Sequence, residues 1–176
     1  MTSEYNKPLP RATLNPDVSR PFWEGTKKHE LWVQYCTVCN KFIFFPREVC
    51  PYDLSPLDKL VWTKVSGKGR VYSYTTVYQS SIPSFTEEAP YVHATIQLDE
   101  GARMTGNVLM PKEQLMEDPG SLAVGQRVQA VFDDVTDDVT LVKWEPIAED
   151  EPPGAEESEG DGGDGAGQRP AGGYGG

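Results

Sequence analysis

The clearest chemical candidates in this sequence are its three cysteines, which all fall within residues 36–50. Cys36 and Cys39 are separated by two residues, and Cys50 is followed at the same spacing by Asp53. Ligand pairs at this spacing let two tight turns present four donor atoms to a tetrahedral ion, as in a zinc ribbon. Because such a site is closed, the ion would have a structural rather than a catalytic role.

Asp53 stands where a second C-x-x-C pair would place a cysteine, and its hard oxygen suits a soft-ligand site less well than a thiolate does. Three interpretations therefore remain open: zinc bound by Cys36, Cys39, Cys50 and Asp53, a metal-free knuckle held by packing, or iron. We expect structural zinc. An odd number of clustered cysteines also argues against a disulfide framework and indicates a reducing compartment.

Aromatic side chains form the second set of candidates. In the predicted strand RVYSYTTVY, strict alternation places Tyr72, Tyr74 and Tyr78 on one face. Some OB-fold barrels stack bases on such a face, but packing or a protein interface is the stronger explanation. We expect a partner protein to cover several exposed aromatic residues, since a few such anchors dominate most interfaces. The predicted interface residues are Phe22, Trp23, Phe85, Tyr72, Tyr74 and Tyr78.

The sequence contains no pattern typical of a catalytic site of its own. G-x-S-x-G, Walker, dinucleotide and H-E-x-x-H motifs are missing, and no cysteine lies outside the knuckle. The imidazoles are His29 and His93, and the alternation of its strand points His93 away from the apolar core. We therefore expect a noncatalytic chain.

The charge of the chain disfavours nucleic acid as a partner. The net charge is −11, and the segment 149–176, with eight acidic residues and one arginine, accounts for −7 of it. The remaining body is still acidic, whereas nucleic-acid-binding domains carry a basic face. An OB-fold module that binds single strands on the tyrosine face, helped by Lys68 and Arg70, is the alternative function.

Hydrophobic periodicity predicts a mainly β protein. A short helix begins with Ser19 as its N-cap, and strands of period two, LWVQY and FIFF, flank the cysteines. From residue 61 onward, VWTKV and RVYSYTTVY form a bent hairpin, and two more hairpins follow with a helix at Pro111–Asp118 before the last pair. Five or six strands in this order indicate a small closed OB-type barrel.

Four segments follow from these patterns. They are an N-terminal arm and short helix at 1–30, a zinc-ribbon-like knuckle at 31–60, an OB-fold barrel at 61–147, and a disordered Gly/Asp/Glu-rich tail at 148–176. No apolar run approaches the roughly 18 residues that span a bilayer, and the polar N-terminus lacks a signal pattern. We expect a cytoplasmic protein without membrane contact.

The order of the motifs PFWEG, FFPREVCP, SGKGRVYSYTTVY, APYVHATIQLDEG and VGQRVQAVF, from about Asp17 to Pro146, resembles a known family. Its members are zinc-ribbon/OB-fold proteins, long a domain of unknown function, that accompany thiolase-like enzymes acting on acyl-CoA. The resemblance implies an N-terminal helical piece, a rubredoxin-like zinc ribbon and an OB barrel. Asp53 departs from the four-cysteine version of this ribbon.

The resemblance also implies a function. Such proteins are noncatalytic subunits, and this sequence is most similar to the partners of aldolases in steroid side-chain degradation. It implies a hetero-oligomer with a thiolase-like catalytic protein, with a CoA thioester as the substrate of the complex. The implied reaction is retro-aldol cleavage of a β-hydroxyacyl-CoA, with the acid and base residues on the partner.

Overall fold

The computed structural model describes residues 5–10 and 16–148. The acidic tail predicted to be disordered, apart from Ala148, and part of the predicted N-terminal arm therefore lie outside the described residues. The elements in chain order are α1 (Pro16–Thr26), β1 (Trp32–Cys36), β2 (Lys41–Ile43), β3 (Leu60–Lys64), β4 (Lys68–Val77), α2 (Pro83–Thr86), β5 (Tyr91–Leu98), β6 (Arg103–Val108), α3 (Lys112–Glu117), β7 (Arg127–Asp134) and β8 (Thr140–Pro146).

Helix α1 begins earlier than the sequence pattern predicts. It begins at Pro16, a residue type favoured in the first turn, so Ser19 lies inside the helix and is buried rather than serving as the N-cap. The helix packs closely on β1 at Gly25, where a Cβ would lie 2.5 Å from Cδ1 of Trp32. A side chain at this position would force the helix off the sheet.

Strands β2, β1 and β3 form a three-stranded antiparallel sheet, the ribbon sheet. The predicted hairpin between VWTKV and RVYSYTTVY is wrong, because β3 pairs with β1 from Trp32↔Lys64 to Cys36↔Leu60. The backbone N–H of Val65 extends this ladder by donating to the carbonyl of Leu31 at 2.9 Å. Gly67, with φ +72°, then directs the chain into the barrel.

The remaining five strands close a barrel in the order β4-β5-β6-β8-β7. The hairpins β5–β6 and β7–β8 and helix α3 before the last pair confirm the predicted OB topology. Closure between β6 and β8 is parallel, and its pairing within the described residues is the single register Val108↔Trp144. At one end of the barrel, the nearly buried guanidinium of Arg127 bonds both carboxylate oxygens of Asp99, at 2.6 and 3.0 Å.

The main hydrophobic core fills the barrel and continues under the ribbon sheet. Phe22 of α1, Leu31, Val33 and Val65 belong to the same buried cluster as the barrel residues. A second, much smaller cluster lies at the far end of the ribbon and consists of Cys36, Ile43, Cys50 and Leu60. No helix within the described ranges is long and apolar enough to cross a membrane.

Candidate functional site

Two matching turns, the knuckles, position the predicted metal ligands. In the first, the N–H of Asn40 donates to the carbonyl of Cys36 at 2.9 Å, and Asn40 has φ +57°. In the second, the N–H of Leu54 donates to the carbonyl of Cys50 at 3.0 Å, and Leu54 has φ +64°. Each turn therefore presents its two ligands and then passes through one left-handed residue.

The structure brings all four predicted ligands together, with their donor atoms within 4.8 Å of one another. The sulfurs of Cys39 and Cys50 are 3.6 Å apart, and Cys36 Sγ lies 3.6 Å from Asp53 Oδ2. A tetrahedral zinc ion would separate two sulfurs by about 3.8 Å and a sulfur from a carboxylate oxygen by about 3.6 Å. The donor set and its spacing therefore fit zinc.

Electrostatics at the knuckles also bear on metal binding. Hydrogen bonds from the Cys50 thiol and the Ser55 backbone N–H hold the pKa of the Asp53 carboxyl well below its usual range. Burial, together with hydrogen bonding to the neighbouring sulfurs, raises the pKa of the Cys39 thiol to about 12. At Cys36 burial acts in the same direction, but backbone hydrogen bonds at Cys39 and Val38 outweigh it and lower the pKa of that thiol. A divalent cation would let all three sulfurs carry negative charge.

The knuckle end of the ribbon also carries an apolar surface that the sequence analysis did not predict. Half of the exposed large apolar side chains of the described residues lie between residues 38 and 61. Leu54 is 78% exposed and adopts a left-handed backbone that disfavours a leucine. We call the group on or beside the two knuckles the knuckle surface: Val38, Val49, Tyr52, Leu54 and Leu57. The exposure of these side chains cannot be inferred from the amino-acid types alone. In a larger module, the same apolar residues would be buried in the core.

The predicted tyrosine face is wrong, because β4 contains a bulge between Val71 and Ser73 that reverses the alternation. Tyr74 pairs with the buried Ala94 and packs against the core. Tyr72, in the bulge, lies on the outer surface with the guanidinium of Arg103 3.6 Å from its ring centroid. The proposed base-stacking surface, and with it the nucleic-acid alternative, finds no support in this arrangement.

The other predicted interface aromatics come together elsewhere. Phe22 is only 7% exposed and packs against Trp23 and Phe44, with ring centroids 5.0 and 5.4 Å away. Its predicted exposure is therefore wrong, because the chain itself covers it. Phe22, Trp23 and Phe85 nevertheless line one common cavity.

Each of the two imidazoles is held by a side chain on the surface. His29 Nε2 lies 3.0 Å from Asp134 Oδ2, and its ring stacks on Phe132 with the centroids 5.3 Å apart. The Thr140 hydroxyl donates to Asp134 Oδ1 at 2.6 Å, and this hydrogen bond together with that from His29 lowers the pKa of the Asp134 carboxyl. His93 is exposed, as predicted, and its Nδ1 lies 3.1 Å from Asn107 Oδ1. Neither arrangement activates a nucleophile.

Two family models match the chain. "ChsH2, rubredoxin-like zinc ribbon domain" matches residues 23–58, and "ChsH2, C-terminal OB-fold domain" matches residues 62–133. The first match supports structural zinc at the knuckles. Together the matches confirm the predicted order of ribbon and barrel.

The chain is also similar to known proteins in sequence and in structure. The chain is 37% identical over 103 residues to a DUF35 domain-containing scaffold protein of Methanocaldococcus jannaschii, covering 58% of this chain and 67% of that one. It is 33% identical over 143 residues to the 3-oxo-4,17-pregnadiene-20-carboxyl-CoA hydratase alpha subunit of Mycobacterium tuberculosis, covering 78% of this chain but only 41% of that protein. A solved chain described as "Ltp2-ChsH2(DUF35) aldolase" superposes with a TM-score of 0.63 and 26% identity, covering 77% of this chain and 98% of that one.

Proposed function

Because the chain belongs to the DUF35 family, we propose that it is the noncatalytic accessory subunit of a thiolase-fold enzyme that acts on acyl-CoA. The reaction we propose for the complex is retro-aldol cleavage of a β-hydroxyacyl-CoA in steroid side-chain degradation. The observation that carries this proposal is the match to the aldolase chain, which extends over 98% of that chain at 26% identity. The relative named as a pregnadiene-carboxyl-CoA hydratase alpha subunit supports a steroidal CoA thioester as the substrate.

The requirements of the retro-aldol step explain why we assign its acid and base groups to the partner and not to this chain. In a retro-aldol step, a base takes the proton of the β-hydroxyl group, the Cα–Cβ bond breaks, and its electron pair forms the enolate of a shorter acyl-CoA. That enolate then takes up a proton, while the other fragment leaves as a carbonyl compound. The step needs a positioned base and enolate stabilisation. The surface imidazoles His29 and His93 are already engaged by Asp134 and Asn107, so the acid and base groups are assigned to the partner.

The knuckle surface is the part of the chain that we propose to contact the partner. Monomeric proteins rarely concentrate apolar side chains on one small exposed module, and such concentrations mark interfaces. Leu54 adds a separate argument, since backbone strain is retained where the residue has a function. Of the aromatic residues predicted from the sequence, Phe85 of α2 remains in the proposal as a second contact.

Co-expression with a thiolase-like protein encoded beside this chain tests the proposal. We expect the two proteins to co-purify, and we expect cleavage of a steroidal β-hydroxyacyl-CoA only when both are present. Turnover by the isolated chain would contradict the accessory role. Co-purification with turnover of simple acyl chains alone would retain the accessory role and exclude the steroid substrate.

A matched pair of variants tests the interface. Leu54→Asp should break the complex, and it should leave the fold intact because aspartate tolerates a left-handed backbone better than leucine does. Val124→Asp introduces the same charge at an exposed residue shortly before β7, which is 66% exposed against 78% for Leu54, and should leave the complex unchanged. Equal effects of the two variants on the dissociation constant would exclude the knuckle surface. Phe85→Asp tests the second contact in the same assay.

A further inference from the structure

A cavity of about 470 Å³ lies between the N-terminal segment, α1, the ribbon and the barrel. Tyr5 and residues 7–10 of the N-terminal segment line it, as does Phe85 of α2. Its volume falls within the range of about 300–1,000 Å³ that is typical of small-molecule sites. The cavity is lined by four separate parts of the chain, so it is formed by tertiary packing between elements and not by the surface of a single element.

The walls of the cavity are largely aromatic. Phe22 and Trp23 come from α1, and Phe44 comes from the ribbon loop. That loop is fixed by the fully buried amide of Gln34, which accepts from the N–H of Arg47 at 2.7 Å and donates to its carbonyl at 2.9 Å. The aromatic wall is therefore held in place before any ligand binds, which reduces the entropy that binding would cost.

The floor of the cavity is the junction between β6 and β8. The register between these strands is limited to Val108↔Trp144, and Met104 and Val142, which precede it on the two strands, both line the cavity. Met104 is also part of the buried core. The cavity thus reaches the barrel core at Met104, beside the parallel contact between β6 and β8.

The charges around the cavity are already paired. Lys7 forms an ion pair with Glu88, and Lys143 Nζ lies 2.5 Å from Asp133 Oδ2. A charged ligand would have to break one of these pairs and lose its own hydration. The neutral polar groups that line the cavity, such as Thr105, can instead form hydrogen bonds with a hydroxyl or carbonyl group.

We propose that this cavity binds an uncharged, largely apolar small molecule that carries a hydroxyl or carbonyl group. Aromatic walls, a floor that reaches the core and a rim of neutralised charge fit this chemical class and disfavour an anion. The isolated chain holds this site, so the binding does not depend on the proposed partner.

Titration of the full chain with Nile red, an uncharged apolar dye, tests the proposal. We expect one dye per chain, a blue-shifted emission, and displacement by 1-decanol but not by the same concentration of decanoate. Thr105→Trp, which fills the cavity from its exposed side, should weaken dye binding by about tenfold or more. Its matched control is Thr75→Trp, at an exposed threonine of β4 that does not line the cavity, which should bind the dye as the parent chain does.

A second pair keeps the test decisive if Thr105→Trp does not fold. Leu9→Trp narrows the cavity from the arm, and Leu109→Trp places the same ring at a residue of similar exposure elsewhere. Equal dye binding by parent, Thr105→Trp and Leu9→Trp would overturn the proposal, as would equal displacement by decanol and decanoate. The proposal would also be overturned if the parent chain did not bind the dye and Thr105→Trp weakened the complex with the thiolase-like partner. That result would show that a protein partner fills the cavity.

Discussion

The ribbon and the barrel differ in what stabilises them. The barrel has a large continuous core that includes Ile96, Leu98 and Trp144, all essentially inaccessible to solvent. The knuckle end of the ribbon buries only four apolar side chains, and two of those are cysteines of the predicted metal site. A barrel of this kind is stable through apolar burial, whereas a module with so few buried groups depends on its ion. The barrel and the knuckle end of the ribbon are thus stabilised by different interactions, and each can be destabilised separately.

Removal of the ion should have the largest effect, and it should be confined to one region. Structural zinc contributes on the order of 10 kcal/mol to the folding of zinc-finger peptides. We expect purified protein to contain one zinc per chain, and a strong chelator to increase hydrogen exchange at residues 36–58. Peptides of β5 and β7 serve as the internal control and should stay protected. Loss of protection in both regions together would show that the two modules do not unfold separately.

A core truncation in the barrel should give the converse result. Ile96→Ala removes a fully buried side chain and should lower the free energy of unfolding by about 2–5 kcal/mol. Zinc content should not change. Ile82→Ala, at an exposed isoleucine, is the control and should change stability by less than about 0.5 kcal/mol. Denaturant titration measures both, and equal destabilisation by the two variants would contradict the assigned core.

Within the ribbon, Asp53 is expected to set the affinity for the ion. Asp53→Ala removes one donor and should weaken zinc binding by at least about tenfold. Asp53→Cys supplies a fourth thiolate and should strengthen it, because zinc in closed sites favours sulfur. Competition with a zinc-binding dye measures both variants. If Asp53→Ala binds zinc as the parent chain does, the carboxylate is not a ligand.

The two knuckles differ in the residue that adopts the left-handed backbone, Asn40 in the first and Leu54 in the second, and this difference should have a measurable but smaller effect. Leu54→Gly should stabilise the zinc-bound protein by about 1 kcal/mol, since glycine removes the steric cost of a positive φ. Asn40→Gly should gain less, because asparagine tolerates this backbone and Asn40 also accepts a hydrogen bond from the Tyr35 hydroxyl at 2.8 Å. Thermal unfolding measures both variants. A destabilised Leu54→Gly protein would show that the leucine is held by contacts within the chain.

The smallest effect is expected from the tail. A chain that ends at Ala148 loses residues with almost no apolar side chains to bury, so its melting temperature should equal that of the full chain. A loss of more than about 1 kcal/mol of stability would instead show that the tail docks on the folded body.

The sequence predicted the element types, the convergence of the four knuckle residues and the order of the barrel hairpins, because each depends on local spacing. Cys36, Cys39, Cys50 and Asp53 were identifiable since two tight turns impose their own ligand spacing. The pairing of β3 was not identifiable, because which strand it joins depends on packing between segments distant in the chain.

The aromatic residues show the same limit. One inserted residue at Tyr72 reverses the face of every residue after it, and alternation alone does not reveal a bulge. The burial of Phe22 likewise depends on Phe44, which is distant in sequence. The cavity between them could therefore be found only in the folded structure.

Strand β3 occupies residues 60–64, across the boundary between the segments that the two family models match. Recombination between two related genes at that boundary would therefore give the ribbon sheet an outer strand from one protein and its other two strands from another. Val65, directly after β3, belongs to the same core as Leu31 and Val33, so such a hybrid would also combine two unmatched halves of one core. Ribbon and barrel should accordingly be inherited together as a single recombination unit, with added domains joined outside them.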